Sequence, residues 1–149
     1  VATIRLATAH DLPELCALLG ELFAQEAEFS ADADAQSRGL RRILAAPDTG
    51  EILLLVELDA VIGMVSLLYL TSTALGSRVA LLEDMIIAPG HRGGGHGDRL
   101  LRAAIDHARM RHCRRITLLT DHDNSGAQRF YGRHGFEMSQ MRAMRLQLD

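Results

Sequence analysis

The stretch His91-Arg92-Gly93-Gly94-Gly95-His96-Gly97-Asp98 places four glycines within five consecutive positions. Glycine admits left-handed backbone conformations, and a turn built from it is lined by N–H groups rather than side chains. With a helix N-terminus behind them, such amides form a site for phosphate oxygens. Arg92 adds a fixed positive charge beside it. An apolar run, 79–88, leads into the stretch and a helical pattern, 98–112, leads out of it. The chemistry on offer is a strand, a loop that grips a diphosphate, and a helix; the plainer reading is a glycine turn between strand and helix. Two familiar nucleotide loops do not fit. The chain has no lysine for a Walker loop, and a Gly-x-Gly-x-x-Gly pattern is broken by Asp98 in one register and by Leu100 in the other. The spacing that fits is Arg92-x-x-Gly95-x-Gly97.

The elements that must position this loop follow from periodicity. Residues 2–7 alternate as a first strand. Over 11–26, Leu12, Leu15, Cys16, Leu19, Leu22 and Phe23 share one helical face, with Pro13 in the first turn. The acidic segment 26–34 reads as a loop, and 35–46 as a second helix ending before Pro47-Asp48-Thr49-Gly50. Strands over 51–58 and 61–71 are joined tightly at Leu58-Asp59-Ala60, which makes an antiparallel hairpin. The third strand of this group, 78–88, is apolar almost throughout, as expected of a central strand covered on both faces. Its two adjacent carboxylates, Glu83 and Asp84, are therefore the feature to explain. On simple alternation Glu83 shares a face with Met85 and Ile87, and Asp84 points the other way. After the loop come a helix over 98–112, a strand over 114–121, a short helix over 126–134 and a final strand or hairpin from 136 onward. Gly135 is placed to end that short helix and Phe136 to pack back on it. The expected fold is α/β: a single domain, 1–149, with a mixed, mostly antiparallel central sheet flanked by helices.

Bulk properties agree with a soluble enzyme or binding domain. The chain has 149 residues, 48% hydrophobic and 23% charged. No apolar run approaches the roughly 20 residues of a membrane span, and no secretory signal opens the chain, so the expectation is a cytoplasmic protein. The net charge of −3 divides unevenly: residues 1–88 hold 13 acidic and 5 basic side chains, residues 89–149 hold 6 and 11. A basic half carrying the phosphate loop suits an anionic ligand, and an acidic half a cationic one; solvated helix faces of opposite sign explain the same split. Cys16 and Cys113 suggest neither a disulfide nor zinc, so no metal is expected. The arginines lack interleaved aromatics, and no nucleic-acid role is expected.

Two segments together carry a resemblance to the GNAT superfamily of acetyl-CoA-dependent N-acetyltransferases. Leu82-Glu83-Asp84-Met85-Ile86-Ile87-Ala88-Pro89-Gly90-His91-Arg92-Gly93-Gly94-Gly95-His96-Gly97 resembles that family's fourth strand and Arg/Gln-x-x-Gly-x-Gly/Ala loop. Asn124-Ser125-Gly126-Ala127-Gln128-Arg129-Phe130-Tyr131-Gly132-Arg133-His134-Gly135-Phe136 resembles its Asn-x-x-Ala-x-x-Phe-Tyr-x-x-x-Gly-Phe segment. The likeness implies the GNAT fold, acetyl-CoA as co-substrate, and roles by position. The backbone of Met85, Ile86 and Ile87 would pair with the pantetheine arm. The amides of Gly93, Gly94, Gly95, His96, Gly97 and Asp98, with Arg92 nearby, would hold the pyrophosphate. Asn124 would bond the cofactor near the pantetheine, and Tyr131 would stand beside the sulfur. His96 departs from the family's usual apolar residue and could add a pH-dependent charge near the phosphates.

The chemistry of acyl transfer asks for such groups. A primary amine, with a pKa near 10, must lose a proton before it attacks the thioester, and a thiolate leaving group, near 8.5, must gain one. Tyr131 is the candidate acid and Glu83 the candidate base. Each has a plainer reading: Tyr131 as a core tyrosine, Glu83 as a carboxylate paired with arginine, Asn124 as a helix cap. His122, between Asp121 and Asp123, is an alternative base or a solvated loop histidine. The Leu82-Glu83-Asp84 triplet resembles the diamine and polyamine acetyltransferase branch, which with the acidic segment 26–34 points to a small cationic amine as acceptor. A protein or peptide amine, and an acyl-CoA-binding sensor without turnover, are the alternatives. Homodimerisation is a habit of the family.

Overall fold

The run Ile52-Leu53-Leu54-Leu55-Val56 has no polar face, and in the computed structural model both of its faces are covered. The structure describes residues 1–25 and 32–149. They divide into two compact units, Val1–Leu119 and Thr120–Asp149. Each is taken by itself below.

The first unit is built on a sheet of five strands: β1 (Thr3–Leu6), β2 (Gly50–Glu57), β3 (Ala60–Ser72), β4 (Ser77–Ile87) and β5 (Ile116–Thr117), in that spatial order. The first three pairings are antiparallel and β4–β5 is parallel. The β2–β3 hairpin closes as expected, through Leu58 and Asp59, both with positive φ (50° and 62°). A two-residue turn of that kind matches the twist of its strands.

Helices α1 (Leu12–Gln25) and α2 (Ala33–Leu44) cover one face of the sheet. Leu15, Leu18 and Leu19 of α1 and Leu40 of α2 pack there on Ile52, Leu54, Met64 and Ile86. Residues of the other parity, including Leu53, Leu55, Val65 and Leu67, are buried toward the opposite side. Helix α3 (His96–Met110) supplies Leu100, Leu101, Ala104 and Ala108 as its own buried stripe. Gly63 leaves room for this stripe, since a Cβ on it would lie 3.4 Å from Leu100 Cδ2.

Polar groups fix the corners. Arg5 grips Asp11 with two hydrogen bonds, Nη1 to Oδ2 at 2.9 Å and Nη2 to Oδ1 at 2.8 Å. The Thr8 amide donates to the same carboxylate at 2.8 Å, which ties β1 to the start of α1. At the far end of α3, Glu51 accepts from the Tyr69 hydroxyl at 2.7 Å and lies 3.0 Å from His107 Nε2. Cys16 and Cys113 are free thiols.

The second unit holds helix α4 (Ser125–Gly132). The final strand or hairpin expected from 136 onward does not form within this unit, and residues 137–149 carry no regular element. A strand exists only by hydrogen bonding to another strand, and this unit by itself offers none. Strand β5 is likewise shorter than the expected 114–121. Most of the acidic segment 26–34 lies outside the described residues. Asp32 and Asp34 are not loop residues: Asp32 caps α2, accepting from the Ala35 amide at 3.1 Å, and Asp34 sits in the first turn.

Candidate active site

The Glu83-Asp84 doublet in an apolar strand is explained by a β-bulge. Met64 pairs with Ile86, but two residues further along β3, Ser66 pairs with Glu83. Asp84 and Met85 therefore stand together opposite Val65. Asp84 takes φ +53° to do so. Among non-glycine residues Asp and Asn adopt that conformation most readily, because their short polar side chains can bond locally. The extra residue reverses the alternation. Glu83 falls on the face of Ile86, toward α1 and α2, while Ile87 lies on the α3 side opposite Gly63. The expectation that Glu83 shares a face with Met85 and Ile87 is therefore corrected: strict period-two counting fails across a bulge. Glu83 is exposed.

β4 also loses its neighbour at this point. Its parallel pairing with β5 is confined to Ala80–Ile116 and Leu81–Thr117. Among the described residues of the first unit, β4 from 83 to 87 has a strand partner on the β3 side alone. Ala88 N donates to Ile62 O at 2.7 Å. In an antiparallel ladder that turns the N–H and C=O of the adjoining Ile87 away from β3. The Ile87 carbonyl is taken by Arg92 Nε at 2.9 Å. Arg92 is thus anchored to the end of the strand, and its side chain is exposed.

The loop that follows has the backbone the glycines were expected to supply. Gly93 and Gly95 take φ +83° and +81°. A Cβ at either would meet open space, so conformation rather than crowding is what calls for glycine there. Gly95 is the N-cap of α3 and brings no side-chain cap. The first hydrogen bond back to it comes from Arg99 N, at 3.1 Å. The amides of His96 and Gly97 precede that bond and belong to the first turn, whose N–H groups point out of the helix end. His96 Nε2 lies 3.7 Å from Glu57 and His91 Nδ1 3.8 Å from the other oxygen of the same carboxylate.

A cavity of about 260 Å³ opens on the α1–α2 side of the bulge, where Leu19, Phe23, Gln36, Leu40 and Asp84 are among its lining residues. Gln36 escaped the sequence reading. The signal was there: it stands four residues before Leu40 and seven before Ile43, on the buried stripe of α2, where an apolar residue is expected. A second hollow of about 370 Å³ lies between Leu12 and Leu44 and includes no residue of β4 or the glycine loop.

In the second unit, Asn124 is the N-cap of α4, its Oδ1 accepting from Ala127 N at 3.1 Å. The plainer reading of Asn124 as a cap thus holds. Tyr131 meets Phe130 and Phe136 edge-on, with ring centroids 5.1 and 5.6 Å apart. Gly135 takes φ +93°, which lets the chain turn Phe136 back onto Tyr131. Burial pushes the Tyr131 hydroxyl up to about 12. His122 is exposed, and its carbonyl accepts from Gln128. Among the described residues no cluster of His, Cys, Asp and Glu is placed to hold a metal ion. No described helix is long and apolar enough to cross a membrane.

Comparison with known proteins bears on these features together. The family model described as "Acetyltransferase (GNAT) family" matches residues 12–136. An uncharacterized N-acetyltransferase of Bacillus subtilis, YhfO, is 31% identical over 123 residues, 81% of this chain and 83% of its own. An aminoalkylphosphonate N-acetyltransferase of Salmonella typhimurium is 29% identical over 142 residues, 95% of this chain and 89% of its own. A crystal structure described as a "probable acetyltransferase" superimposes with a TM-score of 0.86 at 25% identity, over 99% of this chain and 98% of its own.

Proposed function

The chain belongs to the GNAT family of acetyltransferases and is an acetyl-CoA-dependent N-acetyltransferase, and from that premise we propose that residues 1–149 act as one catalytic domain that acetylates a small cationic amine. The observation that carries the reading is the join of three features on β4: a bulge, an edge without a strand neighbour in its own unit, and a glycine loop running into a helix N-terminus.

In this reading acetyl-CoA lies along that edge. The outward amide of Ile87 and the outward backbone of Met85 bond the pantetheine as a further strand would, whereas Ile86 between them keeps its backbone groups on β3. The pyrophosphate rests on the amides from Gly93 to Asp98, and Arg92, already tied to Ile87, contributes its remaining N–H groups. Asn124 donates to the pantetheine through its amide NH2. Bulge amides are aimed at the thioester carbonyl and stabilise the oxygen as it becomes an anion.

The transfer is a direct displacement in a ternary complex. The amine nitrogen, once deprotonated, bonds the carbonyl carbon; the C–S bond breaks; the thiolate takes a proton. Glu83, on the α1–α2 side, accepts the amine proton directly or through water. Tyr131 serves the sulfur. With a hydroxyl near 12 and a thiol near 8.5, complete proton transfer is uphill by about 3.5 units, roughly 5 kcal/mol. Tyr131 therefore acts first by donating a hydrogen bond to the developing thiolate. It passes the proton late, when the ammonium of the adduct supplies the driving force.

The acidic balance of the first 88 residues supports a cationic acceptor. An aminoalkylphosphonate acceptor is a second reading, favoured by the name of the Salmonella relative. The reading takes the enzyme as a cytoplasmic homodimer, which size-exclusion chromatography checks on the second point. The test of function is thiol release from acetyl-CoA across polyamines, amino acids, aminoalkylphosphonates, aminoglycosides and short peptides. A small cationic amine should stand out. Tight CoA binding with background release throughout would favour a sensor without turnover, and turnover of peptides alone would move the acceptor to proteins.

A further inference from the structure

The cavity against the bulge has an apolar floor, Leu19 and Phe23 from α1 and Leu40 and Ile43 from α2, with Asp84 at its edge. Gln36 enters this floor as its one described carboxamide. The residue is 8% exposed. Its Nε2 is fully buried and has no hydrogen-bond partner among the described residues. Native chains seldom leave such a group unpaired, and each one calls for an explanation; for Gln36 the adjoining cavity supplies it. We propose that Gln36 selects the acceptor: its side-chain NH2 donates a hydrogen bond to an uncharged oxygen on the amine substrate, whose short apolar body lies between α1 and α2 and whose amino group faces the bulge.

The inference rests on the acetyl-transfer reading and narrows it. At about 260 Å³ the cavity falls below the usual range of drug-sized sites, so the acceptor is compact. The described lining carries two carboxylates, Asp32 and Asp84, and no lysine, arginine or histidine. Free carboxylates and phosphonates are held by such cations, arginine above all. The described lining offers them none. A carboxamide, ester or hydroxyl oxygen takes the Gln36 bond without needing one. A site built to bond a substrate oxygen also rejects an analogue that lacks it, because its own donor is then left buried and unpaired.

Four amines of matched size test this: β-alaninamide, β-alanine, isopentylamine and aminoethylphosphonate. The full-length chain should acetylate β-alaninamide with kcat/KM about 10- to 100-fold above isopentylamine, and above both anions. In Gln36→Leu that preference should fall toward unity, while the ligand-free variant melts at or above the parent, since a buried unpaired amide has been removed. Equal rates in the parent, a preference for either anion, or a preference that survives in the variant overturns the assignment. So does a variant that melts far below the parent, or turnover of other amines with none of these four. Absence of thiol release with every amine would instead be failure of acetyl transfer itself. The four amines titrated into CoA-saturated protein then decide Gln36: tighter binding of β-alaninamide in the parent alone upholds it, and equal binding overturns it.

Discussion

Gly63 on β3 stands opposite Ile87 on β4, the strand assigned to the cofactor. A Cβ at this position would lie 2.7 Å from Ile87 Cδ1 and 3.2 Å from the Ile86 carbonyl oxygen. The first contact can be relieved by rotating the end of the Ile87 side chain. The second cannot, because a backbone oxygen moves only with β4. Gly63→Ala should therefore cost about 1–2 kcal/mol, in the lower part of the range for overpacking, and lower Tm by roughly 3–6 °C. Gly50→Ala is the matched control. Its Cβ would lie 3.0 Å from Leu68 Cδ2 and 3.2 Å from the Leu67 carbonyl oxygen, at the start of β2 and away from β4. Both variants should melt lower by similar amounts. Only Gly63→Ala should weaken CoA in titration calorimetry, by about tenfold, the equivalent of ~1.4 kcal/mol. The shift passes to the outward amide of Ile87 and, through its carbonyl, to Arg92. Equal losses of CoA affinity in the two variants, or a Gly63→Ala protein that melts lower yet binds CoA as the parent does, would refute the placement of the cofactor on β4.

Three other substitutions have definite expected outcomes. The Arg5 hydrogen bonds hold the Asp11 carboxyl at about 2, below its ordinary 3.8. A depressed carboxylate stabilises the fold above its unfolded pKa, and that contribution is lost as pH falls through the folded value. Asp11→Asn should cost on the order of 1 kcal/mol at neutral pH, once screening at the half-exposed Arg5 is allowed for. Its melting curve should converge on the parent's between about pH 4 and pH 2, and a constant gap down to pH 2 would show that charge is not involved. Tyr131→Phe should lower kcat about 100-fold or more with little change in CoA affinity. Because the hydroxyl stays protonated up to about 12, no alkaline limb below about pH 11 should vanish with it. Glu83→Gln should flatten the limb of the pH–rate profile that reports the base; a profile identical to the parent's leaves Glu83 a structural residue.

Much of the scaffold was legible because it depends on local pattern. The α1 face is a run of leucines at helical spacing, the β2–β3 hairpin follows from apolar runs either side of a two-residue turn, and the glycine loop announces itself by composition. The bulge was not legible. A strand carrying one extra residue looks like any other strand until its partner is known, and it is the pairing of Ser66 with Glu83 that reveals the slip. The doublet Glu83-Asp84 hinted at something unusual, and Asp84 proves to be the residue in the left-handed conformation. That the final strand does not form within its own unit has a related reason: loosely alternating Met and Leu side chains satisfy the pattern, yet pairing is a property of two segments. Gln36 stood in plain view on the buried stripe of α2, but a single polar residue there carries no meaning until its amide is seen to lack a partner.

The central claim is that acetyl-CoA occupies the edge of β4 that has no strand neighbour in its own unit, and the turn beyond it. Hydrogen exchange of the full-length chain, with and without saturating CoA, tests it at the amides concerned. Protection should appear at Met85 and Ile87 and across the loop from Gly93 to Asp98, with little change in β1 or the start of β2. Tight CoA binding with exchange unchanged from residue 85 to residue 98, and protection elsewhere, would contradict the account.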